Sequence, residues 1–438
     1  MKIKRTKHLL ISKIREVASH PDKYSVHQGI DFTRNRKLPM EKMISMIIGM
    51  SGGSLSNELL TMFHNSPKAA SSSAFVQQRM KLKPDALEDI FRSFTLEATS
   101  VCKNDLRILA VDGSDLQIFP DSTNPKTYYP GVNGQRPYGL VHLNALYDLS
   151  HQVFLDASLQ GRNELNEHKA LCSMVDRSPI KKALVIADRG YESYNSMAHI
   201  QEKGWFFLVR IKDGSSGIKG NLTLPDTDEF DLDIRLNITR KQSNETKKLL
   251  KDKNHYRFLP ANAVFDYLPN KTGYKDPALY YELRFRIVRF PLSDDTFETV
   301  LTNLDREAYT PDALKKLYAS RWGIESSFRG LKYTIGLNCF HSKKVMCIIQ
   351  EIFARLIMYN FTQMITTNVI IDKGKRKHDV KINFSVAVHA CRAFFLGDTA
   401  PPDMKAVLLR NLIPIRPARR YDRRPSEKRF NSFIYRLA

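Results

Sequence analysis

The sequence predicts a mixed α/β protein: a sheet core of meandering and crossover-connected strands, with helical regions before and after it. Three observations carry this. Residues 1 to about 105 place apolar residues at helical spacing, as in "LPMEKMISMIIGM" and "LSNELLTMFH". From 106 the pattern turns to short apolar or alternating runs separated by turns and by two helical stretches, the rhythm of a mixed sheet. From about 346 it is helical again, beginning with "CIIQEIFARLIMYNFTQMI".

In the first region, "NSPKAASSSAFVQQRMKLKPDALEDIFRSF" reads as turn, short helix, turn and longer helix, with Pro67 and the serines after it suiting a turn and a helix start. "SSAFVQQRM" offers Gln77, Gln78 and Arg79 on a short helix that follows another. Such a pair resembles a helix-turn-helix, whose second helix reads base edges with Gln or Arg. The plainer reading is an ordinary αα-hairpin.

In the second region, "LRILAVDGSDLQIF" is a short apolar run ending at Asp112 and Gly113. "GLVHLNALYD" and "QVFLDASLQ" flank the turn "DLSH" and read as a hairpin. The helix "NELNEHKALCSMVDRS", the strand "KKALVIADRGY" ending at Asp188, the helix "SYNSMAHIQEKG" and the strand "WFFLVRI" follow. Residues 212 to about 278 break the rhythm with Asn, Asp and a basic run, and read as an insertion with some strand character. "YYELRFRIVRF" alternates, setting Arg284 and Arg286 on one face and Leu283, Phe285 and Ile287 on the other, and should pair with "FETVLTNL". Three domains result: 1–105 helical, 106–345 the sheet core with its insertion, and 346–438 helical with a basic tail.

The chain has 438 residues, with 68 Lys+Arg against 46 Asp+Glu, a net charge of +22. That excess repels itself unless an anion neutralises it, and nucleic acid is the leading candidate. Arg416, Arg419, Arg420, Arg423 and Arg424 concentrate the charge in the tail. The five cysteines form no CxxC pair and read as free thiols in a reducing compartment, the cytoplasm. No apolar run reads as a membrane span, and there is no Walker A motif or dinucleotide-binding glycine fingerprint.

Two apolar strands followed at once by an acid, "LAVDG" and "VIADRG", are the chemical clue. If they run parallel and adjacent, Asp112 and Asp188 meet at one sheet edge, where open α/β sheets place ligands. Either Asp alone is more simply a turn former, and Asp115 stands close enough to Asp112 to compete with it. "YASRWGIESSFRGLK" supplies a third side. At about 100° per residue, Tyr318, Arg321, Glu325 and Lys332 share an arc of about 60° beside a buried stripe of Leu317, Ile324, Phe328, Leu331 and Ile335. Gly323 and Gly330 each cost roughly 1 kcal/mol within a helix, a cost that a close neighbour would explain. Three carboxylates suit two hard divalent cations and in-line phosphoryl transfer, with Arg321 and Lys332 gripping phosphate. Taken alone, Arg321 and Glu325 make an ordinary i,i+4 ion pair.

Tyr318-x2-Arg321-x3-Glu325-x6-Lys332 resembles the Y-R-E-K signature of bacterial insertion-sequence transposases with a DDE triad, and "VDGS" and "ADRGY" look like that family's two Asp motifs. The resemblance covers roughly residues 106 to 361. It implies a ribonuclease H-like core interrupted by a β-rich insertion. It implies that Asp112, Asp188 and Glu325 are both the catalytic residues and the ligands of two Mg²⁺ or Mn²⁺ ions, and that Tyr318, Arg321 and Lys332 contact element-end DNA. Arg189, Gln77, Gln78, Arg79, Arg284 and Arg286 are further candidate DNA contacts. The expected activity is cut-and-paste: cleavage at terminal inverted repeats, then joining of the 3′-hydroxyl ends to target duplex by a synaptic homodimer, in a bacterial, nucleoid-associated setting. The alternatives are a ribonuclease H-like nuclease without strand transfer, or an inactive DNA-binding relative. Relatives that form hairpin ends use an insertion-domain Trp; here the tryptophans are Trp205 and Trp322, outside it, with Tyr280, Tyr281 or Phe290 as substitutes.

Overall fold

A computed structural model describes the chain apart from residues 1–2, 35–36, 101–105, 132–133, 135, 213–216, 272, 274, 294–295, 372–377, 398–399 and 416–438. The arginine-rich tail and Cys102 therefore lie outside the described residues, whereas Cys172, Cys339, Cys347 and Cys391 are free thiols.

Six helices come first: α1 (Ile3–Ala18), α2 (Pro21–Tyr24), α3 (Met40–Gly49), α4 (Leu55–Met62), α5 (Ser72–Arg79) and α6 (Asp85–Ala98). The start expected among the serines after Pro67 is found, with Ser71 accepting from Ala74 N to cap α5, and Ser54 accepts from Asn57 N to cap α4. The sheet region runs β1 (Arg107–Ile118), β2 (Tyr128–Tyr129), β3 (Tyr138–Asp148), β4 (Val153–Gln160), α7 (Glu167–Arg177), β5 (Ala183–Ala187), α8 (Tyr194–Glu202) and β6 (Phe206–Arg210). It continues through β7 (Phe230–Thr239), α9 (Asn244–Leu249), β8 (Tyr256–Phe258), β9 (Tyr281–Ser293) and β10 (Thr296–Thr302). Next come α10 (Pro311–Ala319), α11 (Trp322–Arg329), a π-helical segment Gly330–Ile335, and α12 (Val345–Thr366). β11 (Val380–Ile382), α13 (Phe384–Leu396), α14 (Pro401–Arg410) and β12 (Leu412–Pro414) complete the elements.

One sheet of ten strands has the order β2-β3-β1-β5-β6-β10-β9-β7-β8, with β4 also on β3. β1, β3 and β4 form an antiparallel meander, and β5 and β6 extend it in parallel through crossovers containing α7 and α8. This is a mixed sheet with the strand and helix order that the sequence predicted. The β9–β10 hairpin joins β6 through β10 as expected. The insertion does not form a body of its own: β7 pairs with β9 from Phe230↔Arg289 to Ile238↔Tyr281, so it prolongs the same sheet.

The helical ends do not keep separate cores. Leu10, Ile14, Met43, Ile47, Phe91 and Phe94 share one apolar cluster with Ile352, Phe353, Leu356 and Phe361 of α12 and with Ala110, Leu116 and Phe154 of the sheet. α12 is, by length and composition, apolar enough to cross a membrane, a possibility not read from the sequence; its 18-residue window is 83% buried inside the protein. Gln350, Glu351, Arg355 and Asn360 on that helix are buried, each with hydrogen-bond or ion-pair partners, as a core helix in contact with other elements on every side requires.

Candidate active site

β1 and β5 are adjacent and parallel, in register through Ala110↔Ile186. Asp112 and Asp188 each lie two residues past that last pair, so they leave the sheet side by side. One detail differs from the expectation. Asp112 does not end its strand, because β3 pairs with β1 as far as Ile118 and keeps it extended. What ends at Ala110 is the pairing with β5, and the edge opens there.

The third side is not one helix. The i→i−4 ladder of α10 gives way around Ser320 to i→i−3 bonds, Arg321 N to Tyr318 O at 3.0 Å and Gly323 N to Ser320 O at 3.0 Å. α11 then widens into the π-helical Gly330–Ile335, which stops at left-handed Gly336 (φ 98°). A uniform 100° wheel is therefore only approximate. Its outcome nevertheless survives, because all four signature residues turn toward the sheet edge. The Tyr318 hydroxyl donates to Asp188 Oδ1 at 3.3 Å, Arg321 Nη2 to Glu325 Oε1 at 2.8 Å, and Lys332 Nζ to the Asp115 carbonyl at 3.0 Å. The apolar stripe packs as expected, with Ile324, Phe328, Leu331 and Ile335 in the main core. Gly323 has its close neighbour: a Cβ there would meet Leu149 Cδ2 at 2.7 Å, so α11 lies against the β3–β4 turn. At Gly330 a Cβ would make only ordinary contact, with Phe384 and Tyr359 at 3.5 Å.

Charge is concentrated here. Burial, with Glu325 and Glu167 adding their negative charge, pushes the Asp112 carboxyl up to about 6 against the Gly113 N–H and Arg321. Burial also opposes the charge of Lys332, whose pKa is lowered despite Asp115 and Asp112. Burial works against Arg321 as well, but Tyr318, Glu325 and Asp188 outweigh it and raise its pKa. Arg321 is 6% exposed, and its Nε is buried without a hydrogen-bond partner. A buried guanidinium N–H left over beside an open edge is what a phosphate oxygen would satisfy. Arg210 stands 3.9 Å from Asp188 and 3.1 Å from Glu298.

The donor set, carboxylate oxygens crowded with negative charge, is the chemistry that hard divalent cations take. Among the described residues, no three His, Cys, Asp or Glu side chains are already drawn together around one ion position. Glu325 is meanwhile held by Arg321.

Residues 103–361 match the family described as the transposase DDE domain, well over half of the chain. The protein belongs to that family. The match spans both Asp strands, the signature helices and most of α12. No curated protein matches the sequence. Among solved structures, one similar chain is from a cryo-EM structure of a piggyBac transposase synaptic complex with hairpin DNA, at 10% identity and a TM-score of 0.47 over 96% of this chain and 87% of that one.

Other candidate contacts separate by burial. Arg189 is exposed beside Asp188, its N–H donating to Asp188 Oδ1 at 2.7 Å. Arg79 is not a surface residue. At 2% exposure its guanidinium binds Glu351 Oε1 at 2.9 Å, Gln350 Oε1 at 2.7 Å and the Cys347 carbonyl. The periodicity of α5 could not show that α12 lies against that face. Gln78 is half-buried, its amide donating to the Leu38 carbonyl at 3.1 Å, and Gln77 alone of the three is exposed. Arg286 is likewise buried: it pairs with Asp231 of the neighbouring strand β7 at 2.6 Å and donates to the Leu304 and Tyr309 carbonyls of the chain entering α10. Arg284 remains exposed, next to Glu282. The His341 side chain is buried against Glu351 at 3.2 Å. Trp205 is a core residue whose Nε1 donates to the Ile180 carbonyl, while Trp322 is 52% exposed at the start of α11. Phe290 is buried, Tyr281 donates to Glu202, and Tyr280 is exposed.

Sequence reasoning passed over Glu167, which lies between Glu164 and His168. Glu164 pairs with Lys126 at the surface, and His168 faces Tyr191 and Ser196. Glu167 is the residue of that stretch whose charge reaches Asp112. The available signal was Asn166, which caps α7 and sets Glu167 in its first turn.

Proposed function

We propose that this protein is a DNA transposase of the cut-and-paste kind, which binds terminal inverted repeats of an insertion sequence as a synaptic homodimer, cleaves them by hydrolysis and joins the 3′-hydroxyl ends to target duplex. Asp112, Asp188 and Glu325 are the residues that would hold Mg²⁺ or Mn²⁺. The observation that carries the reading is the pair of aspartates, each two residues past the last in-register pair of two adjacent parallel strands, with the helix bearing Glu325 against β1. Bound, the divalent ions supply Lewis acidity for in-line phosphoryl transfer.

The chain's own groups do the rest. Arg321 offers an unsatisfied, desolvated N–H to a phosphate oxygen. Lys332, held through the Asp115 carbonyl on β1, adds a second positive charge. Tyr318 orients Asp188 through its hydroxyl. Arg189, Gln77 and Arg284 are exposed for the DNA backbone, and the net charge of +22 favours that partner. The setting this implies is the bacterial cytoplasm, at the nucleoid.

The deciding experiment mixes purified protein with element-end DNA and Mn²⁺. Cleavage that Glu325→Ala abolishes while end binding persists supports the reading. Cleavage that survives Glu325→Ala overturns it, and cleavage without joined target product points to a nuclease instead.

A further inference from the structure

Glu167 is a third exposed on its side chain, yet its two oxygens face the strand that carries Asp112 and the loop that carries Asp188. A Cβ added at Gly113 would meet Glu167 Oε1 at 2.6 Å, and one at Gly190 would meet Oε2 at 3.5 Å. The carboxylate therefore stands between the residue after Asp112 and the second residue after Asp188, and glycine at 113 leaves room for it.

It is also held. His142 on β3 is buried, with Nε2 3.1 Å from Glu167 Oε1 and Nδ1 2.7 Å from Asp115 Oδ1. Asp115 is the β1 residue directly opposite His142 in the ladder, and its carbonyl receives Lys332. A continuous chain, Lys332–Asp115–His142–Glu167, thus passes around Gly113 from the signature helices to the first turn of α7. Burial opposes a charged His142, but Asp115 and Glu167 raise it to about 9, so the imidazole donates from both nitrogens at neutral pH. Burial raises the Tyr191 hydroxyl, and the charges of Glu167, Asp112 and Asp188 raise it further. Glu167 belongs electrostatically with the two aspartates, not with the solvent-facing acids.

We propose that Glu167, clamped by His142 and Asp115, is a positioning residue of the catalytic edge: a fixed carboxylate between the Asp112 strand and the Asp188 loop that strengthens the hold of the two aspartates on divalent cations without touching the scissile strand. The proposal rests on reading Asp112, Asp188 and Glu325 as the cation site. Glu167→Gln keeps the shape and removes the charge. His142→Asn keeps the Glu167 charge but removes the imidazolium that clamps it.

Mn²⁺ binding to the full-length protein, read from the electron paramagnetic resonance signal of free Mn²⁺, should weaken about 10-fold in Glu167→Gln and less in His142→Asn, the size typical of groups that orient metal ligands. The Mn²⁺ concentration for half-maximal end cleavage should move in parallel, with end-DNA affinity in Ca²⁺ unchanged. Restoration of the wild-type Mn²⁺ affinity by Glu167→Asp would mark the charge as the cause. An unchanged Mn²⁺ affinity in Glu167→Gln overturns the proposal, as does a loss of end binding equal to the loss of Mn²⁺ binding. If Glu167→Gln does not fold, judged by its melting profile, His142→Asn decides by the same criteria. Glu325→Gln runs alongside: if it binds Mn²⁺ and cleaves like wild type, the site reading itself fails, whereas an inactive Glu325→Gln beside an unaltered Glu167→Gln rejects only the role of Glu167.

Discussion

Asp112→Asn should make the metal-free protein more stable at neutral pH. Asp112 is largely withdrawn from water beside Glu325 and Glu167, and its pKa stands at about 6 against an ordinary value of 3.8. The folded state thus binds this proton more tightly than the unfolded state does. Stability is full below about pH 4, falls as pH rises through the window from 3.8 to 6, and is constant above it. A shift of about two pKa units corresponds to about 3 kcal/mol, of which roughly half has accrued by pH 5. An amide carries no such penalty. For a chain of this length, with an unfolding entropy of about 2.1 cal/mol/K per residue, about 3 kcal/mol is an upward shift near 3 °C. Differential scanning calorimetry in chelator should show Asp112→Asn melting about 3 °C above wild type at pH 8 and about half that at pH 5. Added Mn²⁺ should reverse the order, because only wild type gains cation-linked stability. A destabilised Asp112→Asn at pH 8 in chelator, or a gap that does not shrink toward pH 5, would refute the reasoning. The expected sign is the usual one for a functional carboxylate held against its own solvation.

Arg79→Ala should cost about 3–5 kcal/mol in denaturant unfolding, because it leaves Glu351 buried with much of its compensation removed, whereas the exposed Gln77→Ala should stay within about 0.5 kcal/mol. Tyr318→Phe removes the hydroxyl that orients Asp188, and single-turnover end cleavage should fall about 10-fold with end binding unchanged; equal loss of both would place Tyr318 on the DNA instead. Gly113→Ala would set its Cβ 2.4 Å from His142 Nε2 and 2.6 Å from Glu167 Oε1, so a melting curve should report about 1–3 kcal/mol of destabilisation; a neutral change would mean the clamp is loose.

Local rules sufficed for much of this protein. The alternation of strands and helices from 106, the hairpins β3–β4 and β9–β10, the caps at Ser54, Ser71 and Thr310, and the two Asp-ended apolar runs all follow from periods of two and 3.6 and from turn chemistry, which act over a few residues. Those runs and the Tyr318–Lys332 spacing were also enough to select the candidate triad, because strand polarity carries both aspartates to one edge once the strands pair in parallel.

What the sequence could not decide was which charged groups would meet across distant elements. Arg79 and Arg286 look like surface arginines in their own segments; Glu351, 272 residues away in the chain, and Asp231, 55 away, take them inside. Glu167 looks like one helix-start acid among several, and only the pairing of β3 with β1 brings His142 to hold it beside Gly113. The break at Ser320 and the π turn from Gly330 were likewise not legible in the periodicity, which treated the stretch as one uniform helix. Periodicity encodes which face of an element is apolar. The partner of a buried charge is set by packing between elements, and that was available only from the tertiary structure.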